Sequence, residues 1–146
     1  IGAVGPEDLK EFLGRNSIRA EVVEGEEGWT GGPVVKSVLF MDESGGPVLV
    51  VLEVGRKVRQ GEFARRIGRR RLRLATREEV LEATGYPAGG VPPVGCREGL
   101  EVYVDSKVLA MGKVYAGGGS ERHMLLFDPA LLAGSYPGRV VDVPIS

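Results

Sequence analysis

"VVKSVLFM" at residues 34–41 and "VLVVLEV" at residues 48–54 stand on either side of the short stretch "DESGGP". Both segments are rich in β-branched residues, and the acidic, glycine-containing stretch between them is typical of a turn. The pattern therefore predicts a β-hairpin. Because both faces of the first strand are apolar, we expect this hairpin to lie at the centre of the core.

Lys36 interrupts the apolar pattern of the first strand. It shares a face with Val38 and Phe40, so its side chain starts inside the core. Burial of an ammonium group costs free energy unless an anion meets it. Two interpretations follow: Lys36 binds an anionic ligand, or its side chain reaches solvent at the strand end.

Outward from the hairpin, the sequence predicts several short elements. Helices are expected at 6–13 and 60–67, after the capping-box pair Thr76 and Glu79, and after Asp128. Further strands are expected at 18–23, 69–75, 101–104, 113–116, 124–127 and 139–143. Hairpins are present and regular βα alternation is missing, which favours an α+β fold with a mixed, strongly curved sheet of about seven strands.

Composition limits the classes of protein that need to be considered. The 146 residues suit one domain, spanning residues 1–146, and 42% hydrophobic residues are enough for a packed interior. A net charge of −1 excludes a global attraction to nucleic acid or to an anionic membrane, so such binding would need a local patch. No apolar run approaches the roughly 20 residues of a membrane helix, and no signal peptide is visible. We therefore expect a cytoplasmic protein without membrane contact.

Residues suited to nucleophilic or metal chemistry are scarce. Cys96 is the only cysteine and His123 the only histidine, which excludes an internal disulfide and the usual zinc ligand set. A pairing of Cys96 with His123 in space stays open, although a small core-filling role is the favoured interpretation of Cys96. We expect no metal site and no cofactor.

Two glycine-rich loops offer another kind of site. "TGYPAGGVPPVG" at residues 84–95 holds four glycines and three prolines, and "AGGG" stands at residues 116–119. Glycine lets a ligand approach the main chain and leaves N–H groups exposed, while proline fixes the shape of a loop. Such donors suit an oxyanion or a polarised carbonyl. The alternative is that these glycines serve turns that require a positive φ.

A run of arginines, "RRIGRRRLR" at residues 65–73, forms a local basic segment in a chain of nearly zero net charge. Binding of nucleic-acid phosphates is one interpretation, and a solvated corner between a helix and a strand is the other. The candidate phosphate contacts are Arg65, Arg66, Arg69 and Arg70.

Together these segments resemble the YbaK family of prolyl-tRNA editing domains, which hydrolyse mischarged aminoacyl-tRNA. Residues 84–95 resemble its motif Thr-Gly-Tyr-x-x-Gly-Gly-hydrophobic-(Ser/Pro)-Pro-x-Gly, and "VVKSVLF" resembles its lysine-bearing strand. "ATREEVLEATG", "VYAGGGSERHMLLFDPALL" and "VVDV" are similar to the segments that surround them in the family. The similarity covers roughly residues 34–143. It departs from the family in the loop "GGGSERH", which replaces a shorter Gly-Gly-Lys-Arg-Gly form, and before Lys36, where Trp29 is the one aromatic candidate for the pocket.

The resemblance implies a fold, an activity and a set of site residues. The fold is a compact α+β domain around a barrel-like sheet, and the activity is deacylation of tRNA charged with a small amino acid such as alanine or cysteine in place of proline. Lys36 is the key functional residue, and Gly89 contributes backbone contact at the reacting ester. Substrate contacts are expected at Thr84, Tyr86, Gly90, Val91, Pro92, Gly117, Gly118 and His123.

The reaction expected from this site needs no protein nucleophile. Water attacks the activated ester, and N–H donors at Gly89 and Gly90 stabilise the oxyanion. The expected partners are the acceptor end of aminoacyl-tRNA and prolyl-tRNA synthetase, and nothing in the sequence demands more than a monomer. Two alternatives stay open: a non-catalytic module that binds tRNA or an aminoacyl-adenylate, and a hydrolase of another small ester.

Overall fold

The computed structural model of the protein describes residues 4–25 and 31–146. Within these residues it has four α-helices: α1 (Pro6–Arg15), α2 (Gln60–Ile67), α3 (Arg77–Thr84) and α4 (Leu131–Ser135). A 3-10 helix covers Ser106–Ala110. The eight strands of the described residues are β1 (Ala20–Glu24), β2 (Val35–Met41), β3 (Pro47–Glu53), β4 (Arg73–Leu74), β5 (Glu101–Asp105), β6 (Val114–Gly117), β7 (His123–Phe127) and β8 (Val140–Val141).

The strands form two sheets, ordered β4-β2-β3-β5-β8 and β1-β7-β6. The larger sheet is mixed, since β2 runs antiparallel to β3 and β4 whereas β3, β5 and β8 are mutually parallel. The predicted α+β class with a mixed sheet is therefore confirmed. The expected single barrel-like sheet of seven strands is wrong, because the strands form two sheets, and among the described residues these are bridged only between Val34, just before β2, and Tyr115 of β6. Further along, the same edge of β2 pairs with β4 instead.

The predicted hairpin forms and lies at the centre of the molecule. Residues 48–52 of β3 are all fully buried and contribute alternately to two hydrophobic cores. One core lies between the sheets and under α1, and the other lies between the larger sheet and α2, where Phe63 is buried. This burial on both faces explains the continuous apolar sequence of the hairpin.

Helix α3 begins as its capping box predicts and leads directly into the glycine-rich loop. Thr76 Oγ1 accepts from the Glu79 N–H, and Glu79 in turn accepts from the Thr76 N–H at 2.9 Å. The helix ends at Gly85, whose φ of 87° only glycine adopts readily. The first glycine-rich loop therefore starts at a fixed point and direction.

The strand predicted at residues 69–75 is reduced to Arg73–Leu74. Arg71 has a φ of 54°, which is incompatible with an extended strand, and Arg69 is held by Asp42 through a hydrogen bond of 2.8 Å. The arginine run therefore consists of the end of α2, a loop at residues 68–72 that folds back on the hairpin, and the start of β4. Within the described residues, no helix is long and apolar enough to cross a membrane.

Candidate active site

A cavity of about 770 Å³ opens where the first residues of β2 meet the two glycine-rich loops. Lys36, Gly89, Val91 and Gly117, all predicted as site residues, lie in its wall. The other lining residues are Val34, Val35, Ser37, Val54, Arg77, Ala88, Glu121, Arg122 and Met124. One strand and two loops that are far apart in sequence therefore converge on one site.

Lys36 enters the cavity from the second residue of β2, opposite Leu52 of β3. Partial burial lowers the pKa of its ammonium below the usual 10.5, and the nearby positive charge of Lys57 lowers it further. In residues 4–25 and 31–146, no carboxylate lies within ion-pair distance of Lys36. The ammonium is therefore available to an anionic ligand in the cavity.

Gly89 sits at a tight turn in the wall of the cavity. The Gly90 N–H donates to the Pro87 carbonyl at 2.9 Å, and Gly89 has a φ of 89°, as the third residue of a type II turn requires. The expectation that the Gly90 N–H is a free donor is therefore wrong. Instead, Ala88 and Gly89 line the cavity, and neither N–H has a backbone acceptor among the described residues.

The second glycine-rich loop serves close packing rather than the presentation of N–H groups. The Gly118 N–H donates to His123 O at 3.1 Å, and the Gly119 N–H donates to Gly90 O at 2.8 Å. A Cβ atom on Gly117 would collide with the carbonyl of Val91, and one on Gly90 would lie 2.6 Å from Ser120 N. We call this backbone-to-backbone contact between the two loops the glycine interlock.

Several predicted contact residues lie outside the cavity wall. Thr84 and Tyr86 are each only 1% exposed. The Thr84 hydroxyl donates to Val80 O at 2.7 Å and accepts from the Tyr86 N–H at 3.0 Å, so this pair fixes the exit from α3. The remaining ones are Gly90, Pro92, Gly118 and His123, which shape the loops behind the wall.

His123 holds the second loop in place. Its Nδ1 shares a hydrogen bond of 2.7 Å with Ser120 Oγ, which also accepts from the Arg122 N–H. The ring is thus paired with the loop's own serine. The Cys96 thiol is not paired with this ring: it donates to Pro92 O, and burial raises its pKa to about 12. A thiol with that pKa is neutral at physiological pH and is a poor nucleophile.

None of the four arginines predicted to bind phosphate lines the cavity. Arg69 pairs with Asp42 at 2.8 Å and with Glu101 at 3.3 Å, and its side chain is only 18% exposed. Asp42 follows the end of β2 that is opposite to Lys36, and the six residues from 36 to 41 span about 17 Å. The other predicted arginines are Arg65, which is exposed, Arg66, which pairs with Glu62, and Arg70, which lies 3.8 Å from Glu43.

Three charged residues of the cavity wall were not among the predicted site residues. Arg77 and Glu121 form an ion pair of 3.0 Å between the start of α3 and the second loop, and Arg122 follows in the same loop. The sequence contained information that could have pointed to these residues. Arg77 directly follows the capping residue Thr76, and the other two lie in the quoted "GGGSERH". Sequence reasoning selected the glycines and the histidine of that loop instead.

Metal binding finds no support in the described residues, where no three His, Cys, Asp or Glu side chains come together.

One buried polar side chain in the wall lacks a partner: the buried Ser37 Oγ makes no hydrogen bond within that part of the chain. Trp29, the aromatic candidate for the pocket, lies outside the described residues.

Comparison with known proteins identifies the family. The model of the aminoacyl-tRNA editing domain matches residues 15–133, so this chain belongs to that family. The suspected resemblance is thereby confirmed, and membership of this family supports the predicted class of enzyme, an aminoacyl-tRNA deacylase.

Individual relatives are of two kinds. The chain is 33% identical over 97 residues to the proline–tRNA ligase of Bacillus pumilus, covering 66% of this chain and 17% of the ligase. It is 29% identical over 100 residues to the uncharacterized protein YwhH of Bacillus subtilis, covering 68% of this chain and 63% of YwhH. The chain thus spans about a sixth of the length of the Bacillus pumilus ligase.

Solved structures have the same fold over almost the whole chain. A structure assigned provisionally as a trans-editing enzyme for prolyl tRNA synthetase is 30% identical, with a TM-score of 0.81 over 95% of this chain and 96% of that one. The hypothetical protein APE2540 is 28% identical, with a TM-score of 0.82 over 95% of this chain and 99% of its own.

Proposed function

We propose that residues 1–146 form one trans-editing domain that deacylates tRNA-Pro mischarged with a small amino acid such as alanine or cysteine. The prolyl-tRNA ligases among its relatives and the related structure assigned to trans-editing for prolyl tRNA synthetase support this substrate class. In this proposal the protein acts in the cytoplasm as a monomer, beside prolyl-tRNA synthetase and without a cofactor.

The observation that carries the proposal is the convergence of Lys36, the Ala88–Gly89 turn and Gly117 on one cavity. The Lys36 ammonium binds the terminal phosphate or the ester region. The N–H groups of Ala88 and Gly89, which have no backbone acceptor among the described residues, donate to the oxygen of the ester carbonyl in this proposal. Each such donor contributes about 2.7–4 kcal/mol to stabilisation of the transition state.

Hydrolysis then follows without a protein nucleophile. The oxygen of a bound water attacks the ester carbonyl carbon, and the oxyanion that forms is held by the backbone donors. Collapse of this intermediate breaks the bond to the ribose oxygen, which takes up a proton as the free amino acid leaves. Positioning alone supplies up to about 7–11 kcal/mol in well-oriented reactions, which explains how a site without a catalytic triad can be efficient.

Selection among amino acids rests on the size of the space beside this turn. Val91 and Met124 line the wall there, and a bulkier substrate side chain would meet them. One methylene changes binding by only about 1–3 kcal/mol, so amino acids of similar size are expected to be hydrolysed at reduced rates.

The decisive experiment incubates the protein with tRNA-Pro charged with alanine, cysteine or proline, and with the corresponding free amino-acid esters. Release of alanine or cysteine from tRNA, with proline retained, supports the proposal. Release only from free esters would instead identify a small-ester hydrolase. Binding of charged tRNA without release would identify a binding module and contradict the proposal.

A further inference from the structure

The Arg77–Glu121 ion pair lies across the turn that holds Gly89. A Cβ atom on Gly89 would be 3.2 Å from Glu121 Cγ and 3.6 Å from its Oε1, so the glutamate side chain lies directly over this glycine. Arg77 Nη2 donates to Oε1 at 3.0 Å. The second carboxylate oxygen, Oε2, has no hydrogen-bond partner among residues 4–25 and 31–146.

Glu121 is also the only carboxylate among the described residues that line the cavity, where the cations are Lys36, Arg77 and Arg122. Phosphate groups of a tRNA end would be attracted to the cations. A carboxylate in the same wall repels phosphate, so its place has to be explained by another feature of the substrate.

An aminoacyl ester carries one cationic group, its α-ammonium. This nitrogen is two bonds from the carbonyl carbon, so a carbonyl held at the Gly89 turn places the ammonium beside Glu121. A charge-assisted hydrogen bond between them is stronger than a neutral one. Arg77, already paired with Oε1, would keep the carboxylate in position while Oε2 accepts from the ligand.

The backbone around Glu121 is fixed, which makes the loop suitable for recognition. The neighbouring Ser120 is held by His123, and Gly119 is bonded to Gly90 across the glycine interlock. Only the side chains of Glu121 and Arg122 project from this part of the loop as exposed groups.

We propose that Glu121 is a specificity residue that binds the α-ammonium of the aminoacyl group, with Arg77 as its positioning residue. This inference rests on the proposed function. It assigns the loop "GGGSERH" to reading the free amino group of the substrate. Substrates whose amino group is acylated, as in N-acetylaminoacyl-tRNA or peptidyl-tRNA, would then be disfavoured.

The test compares tRNA-Pro charged with alanine, here called alanyl-tRNA, with the same tRNA-Pro charged with N-acetylalanine, since acetylation removes the charge and leaves the ester. The wild-type protein should hydrolyse alanyl-tRNA with the larger kcat/KM. Glu121→Gln should lower kcat/KM for alanyl-tRNA about tenfold, the size expected for a hydrogen bond to a charged group. The same variant should not lower kcat/KM for N-acetylalanyl-tRNA, because that substrate has no α-ammonium for Glu121 to bind. Glu82→Gln, which removes the charge of an exposed glutamate on α3, is the matched control and should behave as wild type.

The outcomes separate this inference from the function on which it rests. Equal hydrolysis of both substrates by the wild-type protein, or an equal loss on both in Glu121→Gln, overturns the role of Glu121 while deacylation stands. Hydrolysis of neither substrate by the wild-type protein overturns the proposed function itself. Thermal unfolding of Glu121→Gln should match wild type, because the side chain is 66% exposed.

Discussion

The protein has two regions rich in cations, and they differ in what surrounds them. In the arginine run of residues 65–73, five of the six arginines lie within 4 Å of a carboxylate oxygen. At the cavity, Lys36 and Arg122 have no such partner among the described residues, and Arg77 pairs with Glu121. The region with more positive charge in the sequence is therefore the more neutralised one in the fold.

This difference shows why the density of arginine in a sequence does not locate a binding surface. The carboxylates that neutralise the run come from β-turns, strands and helices elsewhere in the chain, such as Asp42 and Glu101. The cations at the cavity are single residues in separate segments. Cations that lie far apart in the sequence but close together in the fold therefore remain available to a ligand.

The largest effect is expected from Lys36→Ala at the cavity. Loss of the only lysine in the described cavity wall should reduce kcat/KM for mischarged tRNA about 100-fold or more, comparable to removing one transition-state donor. Deacylation kinetics measure the effect, and thermal unfolding checks that the fold is retained. Lys113→Ala, at an exposed site away from the cavity, is the matched control. Turnover unchanged in Lys36→Ala would refute the role of Lys36.

The second largest effect is expected from Arg69→Gln in the arginine run, and it is an effect on the stability of the fold. Arg69→Gln breaks contacts to Asp42 and Glu101, and should lower the free energy of unfolding by about 2 kcal/mol because it leaves the largely buried Asp42 carboxylate without an ion pair, whereas Glu101 keeps its pair with Arg139. Chemical denaturation measures it, while kcat/KM should stay within about twofold of wild type. Arg70→Gln, at a side chain that is 84% exposed, should change neither quantity. A large loss of activity in folded Arg69→Gln would make the run part of the substrate site.

The pH dependence of stability should test how strongly Asp42 stabilises the fold next to the arginine run. Hydrogen bonds from Gly46 and Ser44, together with Arg69, lower the pKa of Asp42 from 3.8 to about 2. Because the folded value is depressed, Asp42 stabilises the protein above the unfolded pKa, and this contribution disappears as the pH falls through the folded pKa. The stability difference between wild type and Asp42→Asn should be about 1.5 kcal/mol at pH 6, should fall as the pH drops from about 4 to about 2, and should vanish only below pH 2. A difference that is constant over this range would contradict the argument.

The smallest effect is expected from Arg122→Gln. A single exposed cation that contacts phosphate should raise KM about fivefold and reduce the slope of log KM against log salt by about 1. Arg65→Gln, which removes the same charge from the arginine run, should leave both unchanged. Equal effects of the two variants would mean that phosphate is bound by overall charge and not at the cavity.

Much of the fold follows from local sequence signals. The capping box at Thr76 and Glu79 begins α3 as predicted, and the hairpin pairs with Lys36 opposite Leu52. These features depend on residues that are close in sequence. The strand predicted at 69–75 fails because Asp42, far away in the chain, holds Arg69 in a turn. The division into two sheets likewise depends on where β2 leaves β6, which no local pattern specifies.

The site could be predicted only in part, for a related reason. Lys36 and Gly89, which lie in the cavity wall, could be predicted because each has a recognisable local sequence pattern. Lys36 is a lysine in an apolar strand, and Gly89 is a glycine between prolines. The sequence cannot show which N–H groups are already used, and Gly90 and Gly118 both donate to carbonyls. Nor can it show that Arg77 and Glu121 meet, because 43 residues separate them in the chain.

The glycine interlock has a consequence for how this protein can evolve. With main chain touching main chain at Gly90 and Gly117, side chains at these positions are excluded by their surroundings. New substrate preferences therefore have to arise from the side chains of the cavity wall, of which residues 121 and 122 are exposed and can vary without disturbing the loops. A laboratory library restricted to those two positions should redirect selectivity with few unfolded members.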